Sequence, residues 1–170
     1  MKNVLVLLLL ISSLLISTFC NYHQIKNNNV DFSFDTGWNN NSAFSIKIDS
    51  SGKAFLARNR SDRQYFEKQL TSVELYNLAL YIDSFKMQTF KSKYIEDIAD
   101  LESFCIVLNL EGVEQIFYIY GDSAPKELYH FSDFMLKFRD DSTFSSIDSI
   151  IQFKSSSSVW KQIPPISIRK

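Results

Sequence analysis

Glycine and proline are scarce in this chain, with four glycines and three prolines among 170 residues. So few turn-forming residues argue against a fold built mainly from loops. The four glycines are also scattered, and they cannot form the glycine-rich loop that cradles a phosphate group in nucleotide-binding proteins. The sequence therefore predicts regular secondary structure and offers no phosphate-binding loop.

Cysteine and histidine are equally rare, with two of each. A structural zinc site needs about four ligands of this kind, so no metal site is predicted. Neither His23 nor His130 has a nearby motif with the nucleophile and orienting group that a catalytic histidine requires. Cys105 lies in an apolar run and is expected to be a small buried hydrophobe. We therefore predict no catalytic residue, no cofactor and no disulfide framework.

Basic residues are not in excess, because 18 Lys and Arg face 19 Asp and Glu, for a net charge of −1. No Lys or Arg stripe of the kind that binds nucleic acid is present, so nucleic acid is excluded as a partner. In contrast, apolar residues make up 45% of the chain, with 15 Phe and 8 Tyr. That content predicts a packed core rather than a disordered chain.

The chain opens with MKNVLVLLLLISSLLISTFC, in which residues 4–19 form an uncharged run of sixteen. A helix that crosses the hydrocarbon core of a bilayer needs roughly 20 apolar residues, whereas a shorter run suits a secretory signal peptide. We therefore predict that residues 1–20 are a signal peptide and that the remainder is exported. A retained membrane anchor is the alternative.

The end of this segment, Ser17-Thr18-Phe19-Cys20, resembles the bacterial lipoprotein signal, in which the cysteine becomes diacylated. Phe19 departs from that signal, because the signal has a small residue at this position. The resemblance implies a mature chain that begins at lipid-bearing Cys20 and is tethered at the periplasmic or outer surface of a membrane. Ordinary cleavage near Cys20, which would yield a soluble secreted protein, is the alternative.

Residues 21–43 are rich in asparagine and are predicted to be a spacer that contains a short strand at Val30 to Phe34. Alternation of apolar and polar residues then predicts a strand at Phe44 to Ile48, and a second strand follows at Ala54 to Arg58. Thr71 and Glu74 match a capping box, in which each side chain satisfies a backbone N–H at the start of a helix.

The second half repeats this order, with strands at Phe104 to Leu108 and Gln115 to Tyr120 and a helix that starts near Pro125. Each predicted helix carries an apolar stripe at spacings of 3, 4 and 3. These stripes are Leu75, Leu78, Ile82 and Phe85, and Leu128, Phe131, Met135 and Phe138. We therefore predict an α+β domain over residues 44–140, made of two ββα units whose antiparallel sheet carries both helices on one face.

The second hairpin has an apolar residue on the face that should point away from the helices, since Cys105 and Val107 stand where the first hairpin has Ser45 and Lys47. An exposed apolar patch of this kind needs a cover. The predicted cover is the serine-rich tail, residues 141–170, and a partner protein is the alternative. The apolar residues of the tail are Ile147, Ile150, Ile151, Trp160, Ile163 and Ile166.

Residues from Phe44 to about Asp140 resemble a family of small exported bacterial domains of unknown function, many of them predicted lipoproteins. The resemblance rests on Gly52 in the first hairpin turn, on Phe90 and Tyr94 before Asp100-Leu101, and on the helix start at 123–128. The usual cysteine at the entry to the first strand is absent here, where the chain reads Ser-Ala-Phe-Ser. The resemblance implies an envelope protein and implies no activity.

These observations favour a non-enzymatic envelope module that binds a protein or a cell-wall component. One alternative is a hydrolase of envelope material that uses the carboxylates of Glu96, Asp97, Asp100 and Glu102. The same run lacks the glycine and the alternating ligands of a calcium loop. The other alternative is a carbohydrate-binding module that uses Trp38 or Trp160.

Overall fold

A computed structural model describes residues 28–36, 42–59, 62–86, 89–98 and 100–161. The predicted signal peptide, the predicted lipid attachment residue Cys20, and His23 and Trp38 lie outside the described residues. The side chain of Trp160 and residues 162–170 also lie outside them, together with Ile163 and Ile166 of the predicted cover.

Within the described residues the chain forms eight strands and three helices. The strands are β1 (Asn28–Asp35), β2 (Phe44–Ile48), β3 (Lys53–Arg58), β4 (Gln64–Gln69), β5 (Lys93–Ile95), β6 (Ser103–Leu110), β7 (Val113–Tyr120) and β8 (Ser145–Ile147). The helices are α1 (Ser72–Lys86), α2 (Lys126–Leu136) and α3 (Lys154–Lys161). The fold class is therefore α+β, as predicted.

All eight described strands form one sheet in the order β5-β7-β6-β1-β2-β3-β4-β8. Each neighbouring pair is antiparallel except β5 and β7, which are parallel. The sheet is therefore mixed rather than purely antiparallel. The predicted β2–β3 and β6–β7 hairpins are both present, and the second turns through Glu111 and Gly112 at φ of +53° and +87°.

Strand β1 lies in the middle of the sheet, between β6 and β2. Val30, Phe32 and Phe34 alternate along it and point into the core, where Phe32 has no exposed surface. The strand expected at Val30 to Phe34 is present and is longer than expected. Residues 28–35 therefore belong to the folded sheet rather than to a spacer, because the strand pairs with a neighbour on each side and its alternating apolar residues are buried.

Strand β4 stands between β3 and α1 and was not predicted from the sequence. Its residues, QYFEKQ, mix polar and aromatic side chains and are only partly buried, so their alternation gives a weak strand signal. The first half of the chain therefore reads ββββα, and the predicted pair of ββα units does not describe it.

Helices α1 and α2 share one hydrophobic core with the same face of the sheet. The capping box at the start of α1 is confirmed, since the Thr71 backbone N–H donates to the Glu74 carboxylate at 2.8 Å and the Glu74 N–H donates to the Thr71 hydroxyl at 3.3 Å. All eight residues of the two predicted apolar stripes are buried. Phe131 contacts Phe85 of α1 and Phe32 of β1, with ring centroids 5.3 and 6.3 Å apart.

Helix α3 packs on the opposite face of the sheet, against β1 and β6. Its Val159 has no exposed surface and belongs to one buried cluster with Cys105, Val107, Tyr118 and Tyr120. Tail residues therefore cover part of the second apolar face. Ile150 was predicted to be part of this cover, but it is 76% exposed. It lies between β8 and α3, where the tail leaves the sheet.

Candidate functional site

A groove of about 760 Å³ separates the outer surfaces of α1 and α2. Residues of both helices and of the turn after α2 line it. They are Glu74, Asn77, Leu80, Tyr81, Ser84, Glu127, His130, Phe134, Lys137, Phe138 and Asp141. From Glu74 to Ser84 the groove follows eleven residues of α1, whose ten helical steps span roughly 15 Å.

Helix α1 carries a second apolar stripe beside this groove, on the side that faces away from the sheet. Val73, Tyr76 and Leu80 are 67%, 47% and 52% exposed, and they follow one another at spacings of 3 and 4. This spacing places the three side chains on one narrow face of the helix. The spacing of this stripe can be read in the sequence VELYNLALY. The sequence analysis did not identify it, because the stripe of Leu75, Leu78 and Ile82 gives the stronger helical pattern in the same segment.

The floor of the groove is aromatic. The rings of Tyr81 on α1 and Phe134 on α2 lie with their centroids 5.0 Å apart at an interplanar angle of 31°. Tyr81 also meets the edge of Phe131 at 5.9 Å, and Phe131 is fully buried in the core. The floor is therefore held in place by the same packing that joins the two helices.

One end of the groove is closed by a lysine shared between two carboxylates. Lys68 Nζ on β4 lies 2.6 Å from Glu74 Oε1 and 2.7 Å from Asp141 Oδ2. Burial on its own raises the pKa of Asp141, but the hydrogen bonds from Lys68 and Thr143 outweigh that effect and hold the pKa at about 2. Burial likewise raises the pKa of Glu74, and the bonds from Lys68 and Thr71 reverse this and lower it.

These depressed pKa values predict a loss of stability in acid. Asp141 contributes stability at every pH above its unfolded value of 3.8, and the contribution is lost as the pH falls from about 4 towards 2. With allowance for solvent screening, we expect the loss to be about 1 kcal/mol of unfolding free energy. Urea unfolding at a series of pH values checks this.

Asp141→Asn should remove that part of the pH dependence, whereas Asp148→Asn, which alters an exposed carboxylate, should leave it unchanged. Equal pH profiles for Asp141→Asn and the parent protein would contradict the assignment of Asp141 to the Lys68 pair.

His130 lies on the exposed side of α2 and lines the groove with Glu127 and Lys137. The carboxylates of the hydrolase alternative, Glu96, Asp97, Asp100 and Glu102, are not among the groove residues. Glu96 instead accepts a hydrogen bond from the Asp122 backbone N–H at 2.7 Å, near the ends of β5 and β7. Among the described residues, no three His, Cys, Asp or Glu side chains converge where a metal could bind.

A second polar cluster lies under α3. Asp31 of β1 is 7% exposed, and its carboxylate accepts the Lys154 backbone N–H at 2.6 Å and the Ser155 N–H at 3.3 Å. The Ser155 hydroxyl also donates to Asp31 and lies 2.7 Å from the Ser33 hydroxyl, which in turn lies 2.6 Å from Ser45. Asp31 therefore caps α3 from a neighbouring strand and fixes the helix on the sheet.

Sequence comparison adds no family to this geometry. The chain matches no known family model, and it matches no curated protein sequence. In the part of the chain that the structure describes, no helix combines the length and the apolar character needed to cross a bilayer. The groove and the stripe of α1 are therefore the features on which a functional hypothesis can rest.

Proposed function

We propose that this chain is an exported, non-enzymatic module of the bacterial cell envelope, tethered by lipid at Cys20, that binds an amphipathic helix of a partner protein. The binding surface is the groove between α1 and α2 together with the outer stripe of α1. The observation that carries the proposal is the exposure of Val73, Tyr76 and Leu80 on one helical face beside an open groove. Contiguous exposed apolar surface of this kind marks interaction sites.

A helix is the occupant that this surface fits best. Apolar side chains at spacings of 3 and 4 are what one helix presents to another when the two pack together. The groove follows α1 for roughly 15 Å, which matches about three turns of a bound helix.

The charges along the groove indicate which sign of charge the partner helix should carry. Its lining contains three carboxylates, on Glu74, Glu127 and Asp141, and one lysine, Lys137. Lys68 neutralises part of this charge at one end. A partner helix with Lys or Arg beside its apolar face therefore complements the groove, and an acidic helix does not.

A carbohydrate ligand fits less well. Sugar platforms depend on exposed aromatic rings, and the most exposed member of this stripe, Val73, is aliphatic, as is Leu80. A hydrolase would need its carboxylates placed on opposite sides of a bond within a cleft. The Glu96 to Glu102 carboxylates do not line the groove.

Binding of a designed helix tests the proposal. The probe is a fluorescent synthetic peptide of about 14 residues with leucines on one face and lysines on the other. We expect the full mature protein to bind it, and Leu80→Asp to weaken binding at least about tenfold, because a leucine contact typically contributes more than 1.5 kcal/mol. Ile150→Asp is the matched control, since Ile150 is also an exposed aliphatic residue and is not among the residues that line the groove.

Three outcomes would contradict the proposal. The first is equal affinity of the parent protein and Leu80→Asp for the lysine peptide. The second is preference for a charge-reversed peptide of leucine and glutamate. The third is binding of chitooligosaccharides, detected by intrinsic fluorescence, without binding of either peptide, and this result would favour the carbohydrate-binding alternative.

A further inference from the structure

We propose that the first half of β7, from Val113 to Ile116, is a second binding site, which takes an extended peptide segment of a partner protein as an added strand. We call this stretch the β7 edge. It shares no lining residue with the α1–α2 groove, so the inference does not depend on the helix-binding function proposed above. The occupant is a segment with apolar side chains at every second residue.

Strand β5 covers only one half of β7. Its three residues pair with the last three residues of β7, Tyr118 to Tyr120. Burial along β7 agrees with this pairing, since its first four residues are exposed or half-buried and its last four are buried. Among the described residues, the β7 edge therefore has β6 on one side and no strand on the other.

The backbone groups of the β7 edge are placed to pair with another strand. The Tyr118 backbone N–H donates to the Ser92 carbonyl at 2.9 Å, so it points away from β6. The register between β6 and β7 has no bulge, and the backbone groups of Ile116 and Glu114 therefore point the same way as those of Tyr118. In the part of the chain that the structure describes, no hydrogen bond reaches these outward groups. A row of alternating donors and acceptors is satisfied by an extended chain and not by a helix.

The features that usually prevent pairing at a sheet edge are missing here. Such edges are commonly protected by very short strands, by proline or by lysine. The strands at the two ends of the sheet, β5 and β8, have three residues each. The β7 edge reads VEQI, and its one charged side chain, Glu114, is held on the side of α3, where it accepts a hydrogen bond from Lys154 Nζ at 2.6 Å. The β7 edge is therefore open to a pairing chain.

A cavity of about 410 Å³ adjoins the β7 edge and determines which side chains the added strand should carry. Its lining consists of Thr89, Phe90 and Ser92 before β5 and of Gln115, Ile116 and Phe117 on β7. Phe90 and Phe117 form an apolar wall, with ring centroids 5.7 Å apart. Val113 lies on the same sheet face as Gln115 and Phe117 and is 62% exposed. An added strand with apolar residues at positions i and i+2 places one beside the cavity and the other beside Val113.

Peptide binding to the full mature protein, followed by fluorescence anisotropy, tests the proposal. The probe is the labelled peptide KTITITK, and the control KTIITTK has the same composition with its isoleucines on opposite faces of a strand. Two further versions of KTITITK carry N-methyl groups, one at the third and fifth residues and the other at the second, fourth and sixth. We expect one methylated version to bind at least about tenfold more weakly and the other to bind like the probe, because only alternate N–H groups of a strand face its neighbour.

Ile116→Pro is the matching change in the protein. It removes an outward N–H and leaves the hydrogen bonds to β6 in place, so it should abolish binding of KTITITK. Ile116→Val keeps the N–H and should bind like the parent protein. Leu80→Asp, which alters the stripe of α1, should also leave this binding unchanged.

Hydrogen exchange locates the bound peptide. In the free protein the amides of Glu114 and Ile116 should exchange faster than those of Gln115 and Phe117, which face β6. Saturation with KTITITK should slow the two outward amides at least about fivefold and leave the inward pair unchanged.

Several results would overturn the proposal. Equal binding of KTITITK and KTIITTK, or the same effect of both methylation patterns, would show that no strand is added. Loss of binding in Leu80→Asp would place the peptide at the α1–α2 groove instead. Slow exchange at Ile116 in the free protein would show that the edge is already covered, and an increase of this protection with protein concentration would identify a second copy of the chain as the cover. If Ile116→Pro does not fold, the two methylated peptides decide the question without it.

Discussion

Replacement of Phe32 by alanine is expected to lower the free energy of unfolding by about 4 kcal/mol, the range found when a large buried aromatic residue is truncated. Phe32 has no exposed surface, and its ring lies 5.6 Å from that of Phe44 and 6.0 Å from that of Phe104. Its removal leaves a cavity between three strands and α2 that the rigid sheet cannot close. Urea unfolding followed by circular dichroism measures the change.

The control for this prediction is Ile150→Ala, which truncates a side chain that is 76% exposed and should alter stability by less than about 0.5 kcal/mol. If Phe32→Ala cost no more than Ile150→Ala, β1 would not be a central strand. The residues from 28 to 36 would then behave as the spacer that their asparagine-rich surroundings suggest.

Replacement of Asp31 by alanine should release α3 from the sheet and cost about 3 kcal/mol. The alanine variant leaves the backbone N–H groups of Lys154 and Ser155 and the Ser155 hydroxyl without the acceptor they have in the folded protein. Each buried donor left unsatisfied costs about 1–3 kcal/mol. Hydrogen exchange at the Val159 amide, compared with an amide in β6, separates local release of α3 from global unfolding.

Asp31→Asn is the matched variant, since it keeps a side-chain oxygen acceptor and removes the charge. Burial raises the pKa of Asp31, although hydrogen bonds from Ser155 and Lys154 and the charge of Lys47 act against this. A raised pKa means that the ionised carboxylate disfavours the folded state, so this contribution to stability falls as the pH rises above 3.8 through the folded pKa.

We therefore expect Asp31→Asn to be close to the parent protein in stability at neutral pH and to lose that pH dependence. Equal hydrogen exchange at Val159 in the alanine and asparagine variants would show that the Asp31 oxygens do not hold α3. The two variants thus separate the contribution of the Asp31 oxygens as hydrogen-bond acceptors from the contribution of the Asp31 charge.

Local sequence patterns were sufficient to predict several strands and helices. The alternation of Phe44, Ile46 and Ile48 predicted β2, and the capping box of Thr71 and Glu74 located the start of α1. The inner stripes of both helices were also predicted, and their burial is confirmed. These features depend on residues within about a dozen positions of one another, so the period of the side chains is enough to define them.

Contacts between distant parts of the chain could not be predicted from these local patterns. Strand β4 and the central position of β1 depend on pairing with strands that the local pattern does not identify. The pairing of Lys68 with Asp141 and the capping of α3 by Asp31 join residues up to 124 positions apart. The outer stripe of α1 could be read from its spacing, but not its exposure.

The sequence by itself determined the α+β class, the starts of α1 and α2 and the apolar stripes with which these helices face the core, because each follows from short-range periodicity and backbone capping. Only the tertiary structure decided which apolar residues stay exposed beside the groove and which tail residue covers the sheet. The reason is physical: burial depends on what packs against a residue, and in this sheet the packing partners come from far along the chain.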